Sequence, residues 1–216
     1  MDVTAVTTGG DAGAASRSRL YLLLAQAFAF PDEEIFASIG EGEFALAVAE
    51  ACRELPYDLT GADIAGLASA GESYLAFESE YIRLFDVGPM GPPCPLYGGV
   101  YGGDRMKVME DATRFYNFFH LRVAAPGQDL PDHITTQLEF LHYLTFREGL
   151  ARQEGVESAP LVRAQRDFLG RHLCRWVPQV EARLSKQEAA PFFVALVRFA
   201  AAFLQRDRAY AEASAA

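Results

Sequence analysis

A chain of 216 residues, half of them hydrophobic and 22% charged, is long enough for one well-buried core and falls outside the disordered class. It has no uninterrupted apolar run long enough to span a bilayer. Its 29 acidic and 19 basic residues give a formal charge of −10, which disfavours nucleic acid and anionic membrane surfaces, and either favours cationic partners or simply keeps the surface solvated.

Residues 1–15 are small and polar and read as a flexible N-terminus. Arg17 and Arg19 precede the apolar run Leu20 to Phe30, the arrangement of an export signal. However, Gln26 interrupts the run, Asp2 and Asp11 spoil a basic start, and Leu20, Leu23, Leu24, Ala27 and Phe28 repeat at helical spacing. A first core helix capped by Ser16 and stopped at Phe30-Pro31 accounts for the same residues. Asp32-Glu33-Glu34 opens a short helix, and another spans Glu43 to Glu54. Leu67, Ala70, Tyr74, Phe77, Tyr81 and Leu84 predict a long amphipathic helix from Asp63 to Phe85.

The stretch from Asp86 to Gly103 holds six glycines and four prolines, too many breakers for a helix or central strand. It also carries Met90, Leu96, Tyr97, Val100 and Tyr101, too apolar for a linker. A loop that folds over a helical body and lines a groove is one reading, and a surface loop whose aromatics tuck into the core is the other. Beyond it, Asp104 caps a helix carrying Val108, Phe115, Tyr116 and Phe119, and Asp132 is the expected N-cap of a helix with Leu138, Leu141 and Leu144 on one face. A helix with Leu161, Phe168, His172 and Trp176 is expected to kink or end at Pro178. The last, from Gln187 to Arg206, leaves 207–216 as a flexible C-terminal tail. No stretch alternates as a strand would, so the fold class is all-α: a single irregular domain of roughly eight helices over residues 16–206.

The parts of a catalytic site are missing. Cys52, Cys94 and Cys174 form no Cys-x-x-Cys pair, which suggests neither a disulfide framework nor a zinc site and fits a reducing cytoplasm. Glu139-x-x-His142 has the spacing of carboxylate di-iron sites, but such sites use two of these motifs. Gly98 to Gly103 follows a helix and lacks the Lys-Ser/Thr ending of a phosphate loop. His133 is expected in the first turn of its helix, where the dipole favours a neutral ring. A second reading, a metal- or nucleotide-dependent helical enzyme, would use His133, Glu139 and His142.

Tyr81-x-x-Leu84-Phe85, Pro95-Leu96-Tyr97-Gly98-Gly99-Val100-Tyr101, Pro131-Asp132-His133 followed by Leu138-Glu139, and Phe168-Leu169-x-x-His172-Leu173-x-x-Trp176-x-Pro178 occur in one order. This ordered set resembles the TorD/DmsD/NarJ family of cytoplasmic chaperones for molybdoenzymes, over about residues 16 to 206. Many members carry Glu-Ser where this chain has Gly98-Gly99, and the run Gly-Pro-Pro-Cys-Pro-Leu-Tyr-Gly-Gly-Val-Tyr looks like the subgroup serving type II enzymes of the DMSO reductase family.

The resemblance implies a non-catalytic protein without a cofactor of its own, which binds the twin-arginine signal peptide or apo form of a molybdoenzyme catalytic subunit. It would delay export until the molybdenum cofactor is inserted. Relatives that exchange helices into dimers imply a monomer–dimer mixture. A twin-arginine peptide is basic, then apolar, and needs an acidic rim beside an apolar groove. Tyr81, Phe85, Leu96, Tyr97 and Tyr101, with Pro93, Pro95, Pro131 and His133, are the candidates for the groove. Glu78, Glu80, Asp86, Asp132 and Glu139 are the candidate carboxylates. Burying three or four leucine-sized groups at about 2 kcal/mol each, less ordering costs, suggests about micromolar affinity.

Overall fold

In the computed structural model, which describes residues 12–59, 63–122 and 130–215, the apolar run after Arg17 forms α1 (Ala12–Phe28). Residues 1–11 of the expected flexible N-terminus lie outside the described part. The first helix starts earlier than Ser16, which is buried inside it and donates to Glu54 Oε2 at 3.4 Å rather than capping. The most extensive partner of α1 is α6 (Ile134–Gln153). Ser18 meets His142, and Ala14 lies 3.6 Å from where a Cβ on Gly149 would stand, so the two run antiparallel with a close approach at the glycine.

Between them come α2 (Glu33–Gly40), with Asp32 accepting from the Ile35 amide at 2.8 Å, and α3 (Glu43–Arg53). The long helix expected over Asp63 to Phe85 is broken. A 3-10 turn at Ala65–Ala68 is followed by Gly71 at φ +88°, and Ser73 then caps a fresh α4 (Tyr74–Tyr81). Leu67, Ala70, Phe77, Tyr81 and Leu84 nevertheless reach the core, so the apolar stripe survives without a continuous helix.

Asp104 caps α5 (Arg105–Phe118) as expected. The chain then breaks at His172, between α7 (Ala159–Arg171) and α8 (Leu173–Leu184), and Pro178 sits inside α8 rather than ending it. Proline removes the amide that would reach the carbonyl four residues back. That carbonyl, of Cys174, instead accepts from Gln205 Nε2 at 3.1 Å. The final helix, α9 (Pro191–Ser214), carries Phe192, Phe193, Leu196, Phe199 and Phe203 into the core. It also corrects the expected tail, since 207–214 is helical with Asp207 and Ala211 buried. There are nine α-helices and no strand among the described residues, and none of these helices is long and apolar enough to cross a membrane.

Asp207 is buried because Arg17 is. The Arg17 side chain is 1% exposed and pairs with Asp207 and with Glu148 of α6 at 2.9 Å. Its guanidinium also donates to Gln165 of α7. Tyr21 donates to one Asp207 oxygen and Tyr57 to the other, the latter at 2.7 Å. Arg152 closes on Glu148 at 2.6 Å. One guanidinium thus ties α1, α6, α7 and α9 together.

Removing a single member of such a group leaves a buried charge unmatched. Asp207→Ala is expected to cost roughly 3–5 kcal/mol of stability in urea denaturation; a loss below about 1 kcal/mol contradicts this. A second expectation concerns His172, buried against Phe115 and Phe168 with Asp111 at 3.1 Å. Burial pushes its pKa down to about 4 against the attraction of Asp111. The unfolded chain, with the ordinary histidine value near 6.5, binds more protons in that window. Stability is therefore expected to fall as pH drops from about 6.5 to about 4. His172→Gln should flatten this part of the profile, and an unchanged slope in the variant would count against it.

Candidate functional site

The α4 helix widens at its end into a π turn, Ile82–Asp86, in which the Val87 amide reaches back to Ile82 O at 2.9 Å. Such turns accommodate an extra residue and re-aim the chain. The loop that follows is fixed at both ends. The Cys94 amide donates to Leu84 O at 2.9 Å. The Ile134 amide donates to Leu96 O at 2.9 Å, the Gly98 amide to Asp132 O at 2.8 Å, and the Gly99 amide to Asp132 Oδ2 at 2.9 Å. Tyr97 and His133 pair as an isolated antiparallel bridge with rings 4.7 Å apart. The loop and the start of α6 therefore meet in space.

This pairing corrects the role expected for Asp132. It is fully buried and holds the loop, while His133 occupies the N-cap position of α6 with Nδ1 2.6 Å from Thr135 Oγ1. The two adjacent glycines also acquire a physical reason. A Cβ on Gly98 would stand 2.9 Å from Trp176 Nε1, and one on Gly99 would stand 2.8 Å from Asp132 Oδ2 and 3.0 Å from the Arg105 backbone. The chain passes too close to both for a side chain.

Tyr101 fastens the far end of the loop to α8. Its ring stacks on Trp176 at 5.7 Å, and the Arg183 guanidinium lies 4.6 Å from its centroid. Positions seven apart on a helix are separated by about 10.5 Å along the axis, so the tyrosine ring fits between them. Trp176 donates to Gln137 Oε1 at 3.2 Å, and Tyr101 to Pro95 O at 2.9 Å. Tyr116 donates to Pro131 O at 2.8 Å. Gln137, Arg105 and Arg183 escaped the sequence reading; the only signal was the seven-residue spacing of Arg183 from Trp176.

The structure gathers Pro95, Leu96, Tyr97 and Tyr101 with Pro131, Asp132 and His133. Of these Pro95, Leu96, Asp132 and His133 are buried, and Tyr97, Tyr101 and Pro131 are half-buried, as is Pro93. Tyr81 and Phe85 stand apart from that group as core residues: both contact Phe193, and Tyr81 donates to Phe28 O at 2.9 Å. Among the carboxylates, Asp86 and Glu139 are exposed, while Tyr74 donates to Glu78 at 3.2 Å. Glu80 accepts from Arg83 at 2.7 and 2.8 Å and from the Ala190 amide at 3.0 Å. Burial opposes ionisation of Glu80, but these hydrogen bonds outweigh it and hold its carboxyl below the usual range.

His133, Glu139 and His142 do not converge. Nine residues of helix, about 13.5 Å, separate the two histidines, and His142 Nδ1 sits at 2.9 Å from Ser18 Oγ on the α1 side. Among the described residues no group of three histidine, cysteine or carboxylate side chains could hold a metal ion. Burial pushes the Cys52 thiol up to about 11 and that of Cys174 up to about 12, and raises that of Cys94. None is prepared as a nucleophile at neutral pH.

The profile of the family described as nitrate reductase delta subunit matches residues 41–182, a span that contains the loop, the start of α6 and Trp176 but not Arg183. The perchlorate reductase assembly chaperone protein of Dechloromonas aromatica is 34% identical over 88% of this chain and 87% of its own length. The selenate reductase assembly chaperone protein of Thauera selenatis is 30% identical over 79% of this chain and 77% of its own. For the chlorate reductase assembly chaperone protein of Ideonella dechloratans the identity is 32%, over 78% and 76%. The crystal structure of a protein described as a redox enzyme maturation protein from Archaeoglobus fulgidus aligns over 98% of this chain and 99% of its own, with a TM-score of 0.50 and 18% identity, a likeness of fold.

Trp176 is the single tryptophan and reports on the packing of the loop. Gly98→Ala is expected to push the indole off Gln137 and move its fluorescence emission to longer wavelength, with the far-ultraviolet circular dichroism unchanged. An emission spectrum identical to that of the parent would contradict the close approach.

Proposed function

The chain belongs to the nitrate reductase delta subunit family, and we propose that it is a cytoplasmic, non-catalytic assembly chaperone for the catalytic subunit of a type II molybdoenzyme of the DMSO reductase family. The observation that carries this reading is the set of relatives, matched over 78–88% of this chain, named as assembly chaperones of perchlorate, selenate and chlorate reductases. The separation of His133, Glu139 and His142 supports it against the enzymatic alternative.

In this reading the protein takes the twin-arginine signal peptide, or the N-terminal part of the apo subunit, and holds it from export until the client receives its molybdenum cofactor. Residues on the page supply the means. The loop is pinned by backbone bonds to α6 and by Tyr101 to α8, so little ordering cost is left for the binding step. Tyr97 in the loop offers a half-buried ring and Glu139, in the second turn of α6, an exposed carboxylate, matched to an apolar group and a guanidinium. Asp132 and His133 act through the loop, which they position, and not by direct contact.

Calorimetric titration with a synthetic twin-arginine signal peptide from a type II molybdoenzyme tests the reading. Saturable binding of about micromolar strength is expected, weakened but not abolished at high salt. Tyr97→Ala and Glu139→Gln are each expected to weaken it by about tenfold or less, the second mainly at low salt. Absence of binding by the folded parent protein would overturn the peptide-binding reading, and unchanged affinity in both variants would move the site elsewhere.

A further inference from the structure

A helix at a protein surface ordinarily turns polar side chains outward. The α6 helix does not. Its inner side carries the buried Gln137, Leu141, Leu144 and Glu148, while Glu139, Tyr143, Phe146, Arg147 and Leu150 share an outward arc of about 100°. Of these Phe146 is 51% exposed, Glu139 and Arg147 are exposed, and Tyr143 and Leu150 are half-buried. The end of α5 widens the stripe on one flank: Phe119 lies 6.3 Å from Tyr143 and 5.1 Å from Phe118, which is 76% exposed. On the other flank Leu22, one turn beyond the Ser18 that meets His142, is 38% exposed. Single apolar residues at a surface need no explanation, but a contiguous aromatic stripe marks a contact surface.

The charges on the stripe identify what it contacts. Glu139 and Arg147 stand four residues on either side of Tyr143, each about 6 Å from it along the axis. The pattern is therefore its own complement. Two copies of α6 packed antiparallel about a twofold axis at Tyr143 bring Glu139 of each to the height of Arg147 of the other, whereas parallel packing sets like charges face to face. The Arg147 guanidinium is already held along the stripe, its carbon 5.8 Å from the Tyr143 ring centroid and Nη1 donating to the Tyr143 hydroxyl at 3.3 Å. A formal charge of −10 makes copies of the chain repel one another, so association needs a place where each offers the other a cation. The outer stripe of α6 is such a place.

We propose that this stripe is a self-association surface on which a second copy of the chain packs as a twofold partner, with Tyr143 and Phe146 at the centre and the two Glu139–Arg147 pairs outside them. Each copy keeps all of its own helices in this dimer, unlike a dimer formed by helix exchange. Glu139 is also the carboxylate offered to the client peptide, so dimer and peptide exclude each other there; this second half rests on the chaperone reading.

Sedimentation velocity of the full-length protein, over about 5–200 μM, tests the interface. A monomer–dimer equilibrium that weakens with salt is expected. Every substitution enters a twofold interface twice, so Glu139→Arg or Arg147→Glu alone is expected to raise the dimer Kd at least tenfold, by setting like charges opposite each other. An equal mixture of these two variants is expected to form a dimer again, because each then meets only opposite charge on the other. Phe146→Ser is expected to weaken association by a similar factor with the circular dichroism of the monomer unchanged. A parent protein that stays monomeric throughout the range overturns the proposal. So does a dimer indifferent to both charge reversals, which would place the contact on exchanged helices or another face. Neither result touches the chaperone reading, which the calorimetric titration tests separately. Saturating twin-arginine peptide is expected to shift the parent toward monomer, and bound peptide that leaves the dimer intact overturns the exclusion at Glu139.

Discussion

A single buried guanidinium sets the geometry on which the rest depends. Arg17 cannot be left in a core without countercharge, and its partners come from three different helices: Glu148, Gln165 and Asp207. Satisfying it fixes how α1, α6, α7 and α9 face one another, with Tyr21 and Tyr57 filling the remaining acceptors of Asp207. Glu148 lies in the C-terminal half of α6, so the same contact settles where the other end of that helix emerges. That other end, at Asp132 to Ile134, is the platform on which the loop rests.

The loop illustrates how irregular backbone stays in place without secondary structure. Its amides and carbonyls are satisfied by the start of α6 and the end of α4, as buried backbone groups must be. Gly98 and Gly99 let the chain touch Trp176 and Asp132, and Tyr101 locks into α8 beside the proline-containing turn whose freed carbonyl Gln205 takes up. The apolar residues of the loop then divide into two classes. Leu96 and Cys94 complete the core, whereas Val87 and Met90 project from it. Core tucking therefore holds for one part of the loop, while the other part leaves its apolar side chains exposed.

Much of this was legible in the sequence. Helical periodicity gave the all-α class and the buried stripe from Leu67 to Leu84, and the acidic starts of α2 and α5 marked their caps. Three kinds of feature were not. Breaks at Gly71 and His172 depend on local dihedrals that apolar spacing does not record, so two helices were drawn too long. Arg17 looks like a flanking charge, although it precedes Leu20, Tyr21 and Leu24 by three, four and seven residues and therefore shares their buried face. Asp207 seemed to begin a tail for the same reason: its partner lies 190 positions away. Asp132 followed the rule for helix caps in sequence, but the tertiary neighbour, the Gly99 amide, took its carboxylate. Among the apolar residues of this region, Tyr81 and Phe85 are buried in the core while Val87 and Met90 are exposed, a difference set by the turn geometry of two glycines that apolar spacing does not record.

The central claim is that a client peptide is held on the loop and the adjoining start of α6. Hydrogen–deuterium exchange of the full-length protein, with and without a saturating twin-arginine signal peptide, measures this most directly. The account predicts slowed exchange concentrated in residues 87–101 and 130–139, with the Arg17-linked body unchanged. Protection confined to another surface, such as that around the exposed Phe118 and Phe146, or no protection at all at saturation, would contradict it.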